Sequence, residues 1–374
     1  MNKNKKGSAV EHLNSNIEST FVALKDCSSL KETSFAFKTE LTADYQGSHI
    51  VYASDEFYGA ADNLIKTSLN NIAIQKRRRE NDNTNEEDDN QQNGWLVKRH
   101  EENAIAVIKL GVPGRIIGID IDTTGYIQCA PIKANVKGYL MQDNKSEEIV
   151  EILTDVTILP NAHNFFQVLT FSNRIYSHIQ LMVVPSGGVS RFRCYGEVVL
   201  QNVLYDETVN LASTRLGAQV IYRPSDIIGE DIPCIIIDRK DSRYDGWITP
   251  RKHKTQEDYT IIKLARLGFV EQILVDTSHF FGNAPKKIII EGCSIDVDKE
   301  FEQRNLLENT SWTSLIDTEL MHFELLPNML HTFTCCFNKS ITHVRFRPIP
   351  DGGIQQITIK GKFCKDIHTT VSRV

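Results

Sequence analysis

No apolar run in the 374-residue chain approaches the roughly 18 residues that a bilayer-spanning helix needs, so a spanning helix is excluded. The start, MNKNKKGSAVEHLNSN, is basic but lacks the apolar segment of a secretory signal. Its eight cysteines form no CxxC pair, which removes zinc-finger and thioredoxin-like readings. Basic charge is in deficit: 42 Lys and Arg stand against 48 Asp and Glu, a net −6, whereas nucleic-acid binders are normally basic. There is no nucleophile elbow, Walker loop, Rossmann fingerprint or complete metal signature. What remains is a soluble cytoplasmic protein with free thiols, no nucleic-acid partner and no membrane partner. Its length suits two domains, three at the upper limit.

What is present is one module written twice. Gly94-Trp95, Ile108-Lys109-Leu110, Asp122-Thr123 and Pro131 recur as Gly246-Trp247, Ile262-Lys263-Leu264, Asp276-Thr277 and Pro285, about 152–154 positions on. His178, Pro185-Ser186-Gly187-Gly188-Val189 and Gly196 recur as His343, Pro350-Asp351-Gly352-Gly353-Ile354 and Gly361, about 165 positions on. Upstream, Gly47–Asp55 matches Gly217–Asp226 with one insertion. The order is kept throughout, which gives an N-terminal arm over 1–39, a first repeat over 40–200, a linker over 201–211, a second repeat over 212–364 and a C-terminal tail over 365–374.

Short β-branched runs bounded by Gly and Pro recur in each copy, among them Ala104–Leu110, Ile116–Asp122, His178–Val184, Thr260–Leu264 and Thr342–Ile349. They are too short for helices, and no helical pattern alternates with them. The expected fold is all-β, two tandem jelly-roll β-sandwiches. One stretch departs from the pattern: Lys76–Asn93 has no aliphatic residue and reads as a disordered loop inserted in the first repeat.

Function on a strand framework lies on the loops between strands. In the second repeat the densest polar block is Asp276–Pro285, where Asp276, Ser278, His279 and Asn283 leave a strand together; it reads either as a proton-transfer site or as a turn around an aromatic pair. His178 and His343 recur at equivalent positions, as functional groups or as core histidines with satisfied nitrogens. Arg191 and Arg193, two apart in a strand, share one sheet face and can fork onto a carboxylate or form a solvated face. Trp95 and Trp247 read as core or interface anchors.

These blocks resemble the allantoicase family, whose chains carry two repeats of one galactose-binding-like jelly roll. The likeness runs from Ser54-Asp55-Glu56-Phe57-Tyr58 and Asp62-Asn63-Leu64 through Asp245-Gly246-Trp247 and Val275–Pro285 to Thr342-His343-Val344-Arg345 and Pro350–Ile354. Val189–Gly196, with Arg191 and Arg193, closes the first repeat in the family manner. The chain departs from the family at Leu96 and Ile248, each in place of a Glu, and at Gln355-Gln356 where basic residues are expected.

The resemblance implies hydrolysis of allantoate to ureidoglycolate and urea, a step of purine degradation, with a homo-oligomer as the assembly. It implies no certain cofactor and leaves room for a divalent metal. Asp55, Glu56 and His178 would supply proton transfer in the first repeat, with Asn63, Arg191 and Arg193 binding substrate. In the second, Asp276, His279, His343 and Asp351 are the proton-transfer candidates, and Asn283 and Arg345 the binding ones. A second reading keeps the fold without turnover, binding a small anion or a protein; a third takes the modules as carbohydrate binders, for which few exposed aromatics stand out. Because the two copies differ in their polar residues, a working site is expected to draw on them unequally.

Overall fold

The structure, a computed structural model, describes residues 20–67, 94–142, 145, 146, 148–169, 173–200, 202, 203, 205–222, 234–237, 246–251, 258–295, 310–317 and 324–365. The charged stretch expected as a disordered loop lies outside the described residues, as do the first 19 residues of the arm.

The described chain is built of strands, with a few single 3-10 turns and no α-helix among the described residues. The first repeat contains β1 (Phe21–Ala23), β2 (Thr39–Glu40), β3 (His49–Ala53), β4 (Trp95–Leu96), β5 (Ala104–Asp122), β6 (Lys133–Tyr139), β7 (Met141–Gln142) and β8 (Lys145–Ser146). It continues with β9 (Val150–Thr157), β10 (His163–Val168), β11 (Tyr176–Val184), β12 (Gly188–Val189) and β13 (Arg191–Val198). The second contains β14 (Val209–Asn210), β15 (Gln219–Tyr222), β16 (Trp247–Ile248), β17 (Thr260–Asp276), β18 (Lys287–Cys293) and β19 (Thr313–Ser314). Its last strands are β20 (Leu330–Thr334), β21 (Ile341–Ile349), β22 (Gly353–Ile354) and β23 (Gln356–Phe363).

Two sequence-predicted strands, Ala104–Leu110 and Ile116–Asp122, are one strand that serves both layers. The first part of β5 pairs with β3 and β11, and its last part with β10 and β13. It turns between layers at Gly111-Val112-Pro113-Gly114, where a Cβ on Gly111 would fall 2.0 Å from the Gln46 carbonyl oxygen. Only glycine allows that approach. In the second repeat β17 does the same, pairing first with β15 and β21 and then with β20 and β23.

Both ends of β5 therefore reach one end of the sandwich. There the Ser54 N–H donates to the Ile105 carbonyl, the Trp95 indole to the Asp55 carbonyl and the Ser190 N–H to the Asp122 carbonyl, while β12 pairs with β4. This is the loop end; the turn of β5 lies at the opposite, corner end. Each repeat has its own apolar core, with Trp95 or Trp247 wholly buried in it.

The described part of the segment expected as an arm is packed on the first repeat. β1 adds to the edge of β10, and Phe35 lies on the outer face of the second layer, stacked on Tyr195 with centroids 5.5 Å apart. Lys38 Nζ, 3.0 Å from Glu197 Oε1, fastens the end of this strap.

The two repeats meet near their corner ends. Glu197, Val198 and Leu200 of the first face Leu216, Gln219 and Lys263 of the second across a groove of about 530 Å³, and Tyr45 packs against the second core. No helix among the described residues is long and apolar enough to cross a membrane.

Candidate active site at the loop end of the first repeat

Strand alternation sets this site. Ile119, Ile121 and Phe192 turn into the core and are wholly buried, so Asp120, Asp122, Arg191 and Arg193 project from the outer face. Register puts His163, Asp122 and Arg191 abreast on β10, β5 and β13, with Phe165, Asp120 and Arg193 in the next row. An outer face would ordinarily be solvated. Here the two Asp and two Arg residues are buried.

Buried charge requires partners. Arg193 Nε is 3.3 Å from Glu40 Oε1 and its Nη1 is 3.9 Å from Asp120 Oδ2. His163 Nδ1 lies 2.9 Å from the same Asp120 oxygen and 4.0 Å from Asp122 Oδ1. Asp122 Oδ1 also accepts the Thr124 N–H at 2.8 Å. Burial pushes the Glu40 carboxyl up to about 7, a rise that Arg193 opposes, and burial also raises Asp120. The hydrogen bond to Asp120 raises His163, whose side chain is 37% exposed. The result is a desolvated charge cluster that opens to solvent through one imidazole.

Other sequence candidates gather nearby. Asp55 Oδ2 accepts the Lys98 N–H at 2.7 Å, and Glu56 Oε1 accepts the Ala61 N–H at 2.7 Å. Asn63 donates to the Gly94 carbonyl at 3.1 Å and accepts from Lys66 Nζ. Gly94 in turn abuts the Tyr126 hydroxyl, 2.4 Å from where its Cβ would stand, and Tyr126 and Arg191 perturb each other electrostatically. Asp55, Glu56 and Asn63 thus secure the wrap around Trp95 beside Arg191.

His178 lies elsewhere. It sits toward the corner end, opposite Lys109 on the first layer, its ring stacked on Tyr139 and its Nδ1 2.9 Å from Ser177 Oγ. His343 repeats this arrangement with Thr342 at 2.8 Å and Lys263 opposite. Both hydroxyls also accept a backbone N–H, from Met141 and Ile295 respectively. The recurrence that sequence left open therefore has a structural account: a hydroxyl–imidazole pair that ties down the end of a neighbouring strand. Burial lowers both imidazoles, His343 to about 4.

At the second loop end Asp276 Oδ1 accepts both the N–H and the hydroxyl of Ser278. His279 is exposed with φ at 68°, and its N–H donates to Asn328. Asn283 is exposed and holds Gly353 through its backbone carbonyl, while Asp351 stands half-buried in the turn before β22. Arg345 lies away from this end on β21, bonded to Glu291 at 2.8 Å and stacked over Trp312. The positions that pair with Asp276 are Leu330 and Gln356, and Leu274 pairs with Thr358, so these paired positions carry no counterpart of the histidine–arginine cluster among the described residues.

Sequence reasoning missed Glu40, Asp120, Asp122 and His163 as site residues. The alternation Ile119-Asp120-Ile121-Asp122 carried a signal, since it puts two acids on the face opposite two core residues, as it does for Arg191 and Arg193. His163 required the register. No group of three or more His, Cys, Asp or Glu side chains among the described residues is arranged to hold a metal ion. Asp120, Asp122 and His163 instead share their face with two guanidinium groups, an environment that does not fit a bound cation.

Comparison with known proteins identifies the family of the chain. The model of the allantoicase repeat matches residues 39–199 and again 209–364. A probable allantoicase of Acinetobacter baylyi is 29% identical over 334 residues, 88% of this chain and 96% of that protein. One from Rhizobium meliloti is 30% identical over 330 residues, 84% of this chain and 91% of that protein. The crystal structure of allantoicase from Saccharomyces cerevisiae superposes with a TM-score of 0.71 at 25% identity, covering 91% of this chain and 99% of the other. Matched in both repeats along nearly its whole described length, the chain belongs to the allantoicase family.

Proposed function

We propose that this protein is an allantoicase, hydrolysing allantoate to ureidoglycolate and urea in purine degradation, at the loop end of its first repeat. The observation that carries the location is the arginine-bearing polar face at that end, for which the second repeat has Gln356 and Thr358. Of the two guanidinium groups of this face, Arg191 stands in the row that also carries His163 and Asp122, and it is the one assigned to the substrate carboxylate. A guanidinium suits a planar carboxylate, which it can engage through two parallel N–H donors. Asp55, Glu56 and Asn63 shape the neighbouring wall. The working form in this proposal is a cytoplasmic homo-oligomer.

The test is urea release from allantoate by the purified full chain, with and without added divalent metal. Release is expected, and Arg191→Gln should lower kcat/KM by about 10–100-fold, the value of one charge-assisted contact. Folded wild-type protein that releases no urea under any metal condition overturns the proposal.

A further inference from the structure

His163 combines three properties that no other imidazole in the described structure has together. It stands at the loop end, beside Arg191 and Asp122 across two adjacent strands. Its Nδ1 is fixed 2.9 Å from a carboxylate that is itself buried. Its side chain still reaches solvent, so the ring has one nitrogen held and an open side. His178 and His343 are buried and bonded to a hydroxyl near the corner end. His279 is exposed, on the repeat that has Gln356 and Thr358 at the positions of Arg191 and Arg193.

Asp120 also has a spare acceptor. Its Oδ2 serves His163 and Arg193, while its buried Oδ1 accepts no hydrogen bond. A carboxylate so placed orients an imidazole and stabilises its protonated form.

We propose that His163, oriented by Asp120, is the proton-transferring group of the site. The inference rests on the reading that allantoate is hydrolysed at this loop end. With the substrate carboxylate on Arg191, the imidazolium gives its proton to the nitrogen of the departing urea. The C–N bonding pair leaves with that nitrogen, and the lone pair of the remaining ureido nitrogen closes onto the central carbon. Water then adds its oxygen to that carbon, the π pair returns to nitrogen, and the water proton goes to the neutral imidazole. One proton is given and one regained, and water is the only co-reactant. His163 is the catalytic residue in this scheme and Asp120 a positioning residue.

The pH dependence follows from the proton's first move. The groups facing His163 are Asp120 and Asp122 from β5 and Arg193 from β13; the carboxylates favour the imidazolium and the guanidinium opposes it. Activity requires the protonated ring, so kcat/KM falls as pH rises through its titration. Removing the Asp120 charge moves that alkaline limb to lower pH.

The experiment measures urea release from allantoate by full-length wild type, His163→Gln, His163→Ala and Asp120→Asn, each checked for folding by circular dichroism. His163→Gln should lose roughly 10²–10⁴-fold in kcat. Added imidazole should restore part of the rate of His163→Ala, which a merely structural role would not allow. Asp120→Asn should retain turnover with its alkaline limb displaced toward acid. Active wild type with His163→Gln at an unchanged kcat overturns this inference and leaves the allantoicase reading standing. Inactive wild type overturns both.

Discussion

Arg193 shows why the outer face of the first repeat is unlike its neighbour's. Its guanidinium lies between Glu40 and Asp120 with the strap close by, and the charges are held by one another. Removing the cation alone would take the guanidinium from the buried Glu40 carboxyl and leave Asp120 to His163. Arg193→Ala should therefore cost about 3–5 kcal/mol in chemical denaturation, whereas replacing Arg193 and Glu40 together with apolar residues of similar size should cost much less. Sequence placed Arg191 and Arg193 on one face, because a two-residue spacing is enough for that. Their partners were not legible: Glu40 comes from a strand about 150 positions away, and His163 meets Asp120 only through the pairing of β10 with β5. The chain's own Ile119-Asp120-Ile121-Asp122 was the readable half.

At the scale of elements, the hydroxyl–imidazole pairs explain why Thr342-His343 and Ser177-His178 survive in both copies without meeting at the site. His343 is buried, and burial together with Lys263 lowers it from an ordinary 6.5 to about 4. Between those values the unfolded chain binds the proton and the folded chain does not, so stability declines as pH falls through this window. His343→Gln should show a shallower loss of stability between pH 6.5 and pH 4 in denaturant titrations; a slope equal to wild type would remove this account. The corner strands teach a related lesson. Hydrophobic runs marked Ala104–Leu110 and Ile116–Asp122 as strands, but nothing in their period tells whether a Gly-Val-Pro-Gly segment ends a strand or bends it between layers. The close approach of Gly111 to Gln46 decides it.

The strap is the other element that composition did not reveal. Phe35 is wholly buried against Phe165 and Tyr195, and a Cβ on Gly118 would stand 2.3 Å from its ring. Gly118→Ala should displace that ring and destabilise the protein by about 1–3 kcal/mol, measured as a lowered denaturation midpoint. An unchanged midpoint would mean that the strap does not bear on the sheet as described.

For the whole molecule, duplication was legible because ordered blocks recur, and the same blocks place both repeats within one family. The inequality of the copies was partly legible, since Gln355-Gln356 stands where basic residues would be expected. Its physical meaning needed the fold: the repeats meet near their corners, and among the described residues only the first combines arginine, carboxylate and imidazole on one loop-end face. The account's central claim is that this one loop end hydrolyses allantoate. The most direct measurement is kcat/KM for urea release from allantoate by the folded full chain, wild type against Arg191→Gln. The account predicts turnover by the wild type and a loss of about 10–100-fold in the variant. Equal rates in the two proteins would contradict it.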